Sequence, residues 1–221
     1  MANKTLDFTA DPYTQPANPG TAQTQPAGTG GAGNDGSYNY DSSNCKYNCK
    51  TPPTNGDIGN TGLTGNNGND GATGLPGPVS TWTLTDVVGD LIINAGGGNG
   101  QDGGTGGNGQ DGGPGGPAGR LNPTNLSPIN NACTAASQGP QGVGGRGGTG
   151  GKGGDGGTGA NVIIYYNSIT GNATTNVSSG KPGNPGTGGP PGAGSTNLGP
   201  GDNGATGNPG SVSKINLIPL S

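Results

Sequence analysis

The chain has 221 residues, 55 of them Gly and 20 Pro, with 24% hydrophobic, 4% aromatic and 9% charged residues and a formal net charge of −4. An ordinary globular domain is roughly half apolar, so a conventional aliphatic core of domain size is excluded, and the absence of a basic stripe argues against nucleic acid as a partner. All 12 acidic residues are Asp and there is no His, which excludes Ser-His-Asp and Cys-His catalysis and His-liganded metal sites. Neither enzyme activity nor a cofactor is expected.

Residues 1–55 are polar, dominated by Asn, Thr, Gln and Pro. Residues 1–30 hold no long apolar run, so neither a secretory signal peptide nor membrane insertion is expected. The expected location is a virion or the extracellular space, reached by another route. The segment reads either as disordered or as an extended arm that orders on a neighbouring subunit, with Leu6, Phe8 and Tyr13 as anchors. Cys45 and Cys49 stand in CKYNC and Cys133 is alone. Three Cys without a fourth ligand make a poor zinc set. A Cys45–Cys49 disulfide is within reach of a CxxxC turn, and free thiols are equally compatible. Asp35, Ser37, Asn39 and Asp41 alternate like the start of a calcium loop, but the place of the closing Glu is taken by Lys46.

A triplet repeat begins at Gly56 and dominates residues 56–212. The first tract carries Gly56, Gly59, Gly62 and Gly65 and holds phase to Gly77; the second carries Gly97, Gly100, Gly103 and Gly106. The third includes Gly145, Gly148, Gly151 and Gly154, and the fourth Gly183, Gly186 and Gly189. Four tracts, each followed by a linker, recur about every 41 residues. A three-residue period matches the polyproline II helix, whose bare glycine edge lets another chain approach and whose amides need outside partners. The expected fold is mostly non-α: four Gly-X-Y tracts as bundled polyproline II or polyglycine II helices, with short β-strands or hairpins between them. A second Gly in most triplets of tracts two and three favours an intrachain bundle over an interchain collagen triple helix. Parallel and antiparallel tract order both remain open.

Between tracts, Ser80–Asn94 and Asn161–Val177 each read as two short strands about a turn. Residues 121–138 lack alternation and read as loop. The C-terminal piece, 213–221, reads as an edge strand because of Pro219. Trp82, Tyr165 and Tyr166 are read as packing residues, with carbohydrate stacking as the alternative.

On these residues the chain resembles the polyglycine II sandwich of distal tail-fibre adhesins of T-even-type phages and, in its tracts, the snow flea antifreeze protein. The adhesin resemblance implies that residues 80–96, 121–138 and 161–179 cap the helices at one end and touch a host-surface receptor or glycan. The expected role is a self-assembling fibre or adhesin-like component of a phage or related particle. The alternatives are a collagen-like surface or filament protein of a cell and an ice-binding protein. The apolar residues are too few for an obvious monomer core, so a homo-oligomer, trimer or polymer, is expected.

Overall fold

The computed structural model describes residues 3–122 and 126–220; residues 123–125 of the middle linker lie outside them. The regular elements are strands: β1 (Lys4–Thr9), β2 (Gly36–Asp41), β3 (Lys46–Thr51), β4 (Val79–Val87), β5 (Leu91–Gly96), β6 (Leu121–Asn122), β7 (Ile129–Asn131), β8 (Asn161–Ile169), β9 (Ala173–Val177) and β10 (Lys214–Pro219). This corrects the expected fold class. The structure holds three small sheets, with no helix of any kind among the described residues, and the glycine tracts are extended segments without a regular element.

Those segments are nevertheless ordered by hydrogen bonds to one another. Six of them, 10–35, 52–78, 97–119, 134–159, 179–194 and 197–212, form two rows of three. The first row is 10–35, 97–119 and 179–194, all running one way; the second is 52–78, 134–159 and 197–212, running the other. Within the second row Gly65 N–H donates to the Arg146 carbonyl at 2.9 Å, and within the first Gly106 N–H donates to Thr187 at 2.8 Å. Between rows the bonds form relays across the whole array. Gly204 N–H donates to Gly186, Gly186 to Gly151, Gly151 to Gly104, Gly104 to Asn69, and Asn69 to Asn18, all at 2.8–3.0 Å. Glycine is required because the segments lie backbone to backbone. A Cβ on Gly106 would overlap the Gly148 carbonyl oxygen, and one on Gly148 would overlap that of Asn66.

Each row runs directly into a parallel sheet. The first row continues from β1-β5-β9 and the second into β4-β8-β10. The inward residues of the two sheets alternate along the strands and form the apolar core: Phe8, Leu84, Val87, Leu91, Ile93, Val162 and Ile164, with Ala95 and Ala160. The linkers are therefore not hairpins. β4 and β5 lie in different sheets, joined by a turn in which Gly89 has φ 105°. Each pairs in parallel with its counterpart two units later: Val79 with Asn161 and Leu91 with Ala173. The reason is the alternation of rows. Consecutive tracts occupy opposite rows, so 52–78 meets 134–159, and 97–119 meets 179–194, at an offset of 82 residues.

The third sheet, β6-β2-β3-β7, closes the other end of the array. Here β2 and β3 form the one antiparallel pair among the described strands, and the short β6 and β7 add in parallel on either side. Residues 10–35 are not an arm reaching outward: they lie along 97–119 of the same chain, with Gly30 N–H donating to Pro114 and Gly33 to Pro117 at 2.9 Å.

Proline closes the far edge of the first row. Along the first row Gly100, Gly103 and Gly109 donate to Lys181, Asn184 and Pro190. The residues 82 positions later, which would donate to a next segment, are Pro182, Pro185 and Pro191 and have no N–H. The Gly188 N–H at the same edge donates instead to Asn203 Oδ1 at 2.9 Å.

Glycine substitutions test the packing directly. Gly106→Val and Gly30→Val both place a side chain on neighbouring backbone, whereas a Cβ on the exposed Gly28 meets only the Asn60 side-chain amide. Overpacking costs about 1–3 kcal/mol or more, so thermal melting should show large losses for the first two variants and a small one for Gly28→Val.

Candidate functional site

The glycines singled out by the repeat all lie at contacts between segments. Gly56, Gly59, Gly62 and Gly65 face the carbonyls of Gly116, Gly113, Gln110 and Gly107. Gly97, Gly100 and Gly103 face Gly157, Gly154 and Gly151; Gly145, Gly151 and Gly154 face Leu63, Asn69 and Ala72; Gly183, Gly186 and Gly189 face Gln101, Gly104 and Gly107. They build the scaffold and offer no chemistry of their own.

The acidic and amide side chains have a specific structural task. An outward N–H on one segment has no carbonyl within reach, and an Asx side chain on the neighbouring segment accepts it. Asn67 Oδ1 accepts from Thr149 N–H, Asp70 from Lys152, Asp102 from Asn184 and Asp111 from Ala193, at 2.7–2.9 Å and always 82 residues apart. This accounts for Asp102 and Asp111, and it favours the short Asp side chain where Glu would overshoot. Asp155 accepts from Asn208 N–H at 2.8 Å and pairs with Lys152. Its carboxyl is held below the usual range, first by the Asn208 N–H and then by Lys152. Asp86 is lowered by hydrogen bonds from Ser168 and Asn167.

The cysteine pairing corrects the expected Cys45–Cys49 bridge: Cys49 is bonded to Cys133, with Cα atoms 4.9 Å apart, and Cys45 is free and exposed. Pairing of β3 with β7 brings Cys133 beside Cys49, a long-range relation that CKYNC spacing could not reveal. Cys45 sits instead in the β2–β3 turn with φ 54°. The alternation of Ser37, Asn39 and Asp41 is the period of strand β2. Asp41 accepts from Ser43 N–H and hydroxyl, and Asp35 from Arg120 N–H. Among the described residues no three His, Cys, Asp or Glu side chains converge on a metal site.

The linkers expected to touch a receptor divide between the two ends. Residues 80–96 and 161–179 build the paired parallel sheets, while Leu121–Asn122 and Ile129–Asn131 of the middle linker belong to the opposite cap. Trp82 packs edge-on against Phe8, ring centroids 5.7 Å apart, and keeps 46% of its surface exposed. At the cap, Tyr40 and Tyr47 lie with ring centroids 5.0 Å apart, and Tyr40 is 52% exposed.

A groove on the outer face of the first row was not signalled by the triplet period. Ala10 N–H donates to Gly96 and Ala17 N–H to Asp102, so seven residue steps of 10–35 span six of 97–119. The extra residue leaves the Asn99 carbonyl without a backbone donor from 10–35 and opens a groove of about 390 Å³ beside Tyr13. A second slip lies between Gln23 and Ala27, which donate to Asn108 and Asp111, and a second hollow includes Pro26 and Asp111. The available sequence signal was an echo. Thr14–Ala17 and Thr24–Ala27 both read TQPA, ten residues apart, while their docking partners NGQDGG at 99 and 108 are nine apart. The mismatch forces the second slip, which falls between the two docked copies; the first slip precedes them and has no such signal in the sequence.

No protein-family model matches the chain, and no curated protein matches it. Among solved structures it is weakly similar to an antifreeze protein of the springtail Granisotoma rainieri, described as a nine polyproline type II helical bundle whose crystal waters match the ice lattice. The identity is 22%, over 88% of this chain and 93% of that chain, with a TM-score of 0.14. A likeness that low carries no argument about fold or role. None of these comparisons supports the resemblance to phage adhesins.

Two measurements check the site's supports. The Cys49–Cys133 bridge closes an 84-residue separation, which by chain entropy corresponds to about 4–5 kcal/mol. Dithiothreitol should lower the melting temperature sharply, and Cys45→Ser should not. The lowered carboxyls of Asp86 and Asp155 stabilise the fold above the unfolded-chain value of about 4 and lose that contribution as pH falls through their lower folded values. Melting temperature should therefore drop on acidification below about pH 4, less steeply in Asp155→Asn than in the parent.

Proposed function

We propose that the protein is a non-catalytic, adhesin-like structural component of a phage or related extracellular particle. The observation that carries this reading is how the polar side chains are used. Along both rows the Asx groups tie segment to segment, so the array serves as a rigid mount. Exposed aromatic side chains are carried on this mount, Tyr13 beside the groove and Tyr40 on the cap. The disulfide suits an oxidising location outside the cell. Proline along the far edge of the first row disfavours lateral addition of a further segment there.

An ice-binding surface would need a flat, uncharged lattice. Arg146, Lys152 and Asp155 stand on the outer file of the second row, and Asp102 and Lys181 on that of the first, so neither face offers one.

Immunogold labelling of cultures that make the protein tests the proposal. Label on the fibres or tips of released particles is the expected result. Label confined to the cell envelope would overturn it in favour of a cellular surface filament.

A further inference from the structure

We infer that the groove at the first slip of residues 10–35 is a saccharide-binding site, with Tyr13 as its stacking platform. The inference rests on the adhesin reading and names the receptor chemistry that the groove would take.

The groove draws on all three segments of the first row. Tyr13 and Gln15 come from 10–35, Asn99 and Asp102 from 97–119, and Lys181 and Asn184 from 179–194. Tyr13 is 41% exposed. Gly100 lies in the lining and has no side chain to keep a ligand from the backbone. One aromatic face combined with amide, carboxylate and ammonium groups matches a pyranose ring, which has an apolar face and a rim of hydroxyls that both donate and accept.

The polar groups are also fixed in place. Gln101 Nε2 donates to the Gln15 carbonyl at 3.1 Å, pinning the displaced strand of backbone. Asp102 Oδ1 is held by the N–H and side-chain amide of Asn184, at 2.7 and 3.2 Å. Its second oxygen has no hydrogen-bond partner among the described residues, and neither does the Lys181 ammonium. A polyanion is a poor fit, since it would meet Asp102 and a chain of net charge −4. An apolar peptide is equally poor, since the lining is mostly polar.

The second hollow offers an internal comparison. The position ten residues after Tyr13 is Gln23, whose N–H is bound to the Asn108 carbonyl at 3.2 Å. It lacks the ring and keeps its ladder bond, so the duplicated TQPA motif has one copy with a stacking platform and one without.

The test uses the full-length disulfide-bonded protein on an array of immobilised neutral hexose and N-acetylhexosamine oligosaccharides, followed by calorimetry with the best hit. The expected result is binding that falls at least tenfold in Tyr13→Ala and in Asp102→Asn and is retained in Tyr13→Phe. Tyr40→Ala, at the cap, should bind like the parent. Unchanged melting temperatures exclude misfolding; Tyr13→Phe keeps the test valid if one variant is unstable. Parent binding that survives Tyr13→Ala, or is lost in Tyr40→Ala, would overturn the groove assignment and leave the adhesin reading standing. No binding by the parent to any array member would also overturn it, while immunogold labelling decides the particle role independently.

Discussion

The structure depends on backbone amides finding carbonyls on other segments. The glycine tracts have no internal hydrogen bonds to fall back on, so every buried N–H must be met laterally. The relay from Gly204 through Gly186, Gly151, Gly104 and Asn69 to Asn18 shows how this is achieved, one bond per crossing of the array. Each bond contributes only about 0.5–1.5 kcal/mol net, and glycine is costly to order. The fold therefore requires many such bonds in register at once. A side chain at one crossing separates two segments and weakens the neighbouring crossings as well, which ties the glycine requirement to cooperativity.

Register has to be set by something other than a uniform ladder, since a three-residue slip would look the same locally. The two ends supply it. The paired sheets β1-β5-β9 and β4-β8-β10 bury Leu91, Ile93, Val162 and Ile164 completely or nearly so, and a slip would remove these side chains from the core. At the other end Cys49–Cys133 ties β3 to the stretch after β7. The Asx contacts add a third check along the rows, because Asp70 or Asp102 reaches its N–H only at an offset of 82 residues. The few apolar residues of this chain thus serve mainly as alignment marks.

This division of labour explains what was legible in the sequence. The three-residue period was plain, and it corresponds to the spacing of the lateral bonds, although the regular elements turned out to be strands. The 41-residue unit was visible, but 52–78 meets 134–159, and 97–119 meets 179–194, at twice that offset, because consecutive tracts alternate between oppositely running rows. That alternation also turned the expected hairpins into strands of two different sheets. Residues 10–35 escaped notice as part of the array because an edge segment needs fewer bare positions than a central one. There Ala17, Gln23 and Ala27 donate where central segments use glycine. Cys133 could not be paired from the sequence because its link to Cys49 depends on β3 meeting β7 across 84 positions.

The groove follows from the same logic. A perfectly periodic array has identical faces along its length and no reason to bind anything at one place. Specificity needs a fault in the period, and the fault must be cheap. An edge segment is where it costs least, since 10–35 has only one neighbour in its own row and the slip forfeits one lateral bond, that to the Asn99 carbonyl. A similar insertion in 97–119 or 134–159 would break bonds to segments on both sides and across the rows. The first fault, between Ala10 and Ala17, lies beside Tyr13, the exposed aromatic of that segment, while the ten-against-nine mismatch of TQPA and NGQDGG accounts for the second, between Gln23 and Ala27. The recognition surface of such a fold is therefore to be sought at the edge segments and end caps, where the repeat is allowed to fail.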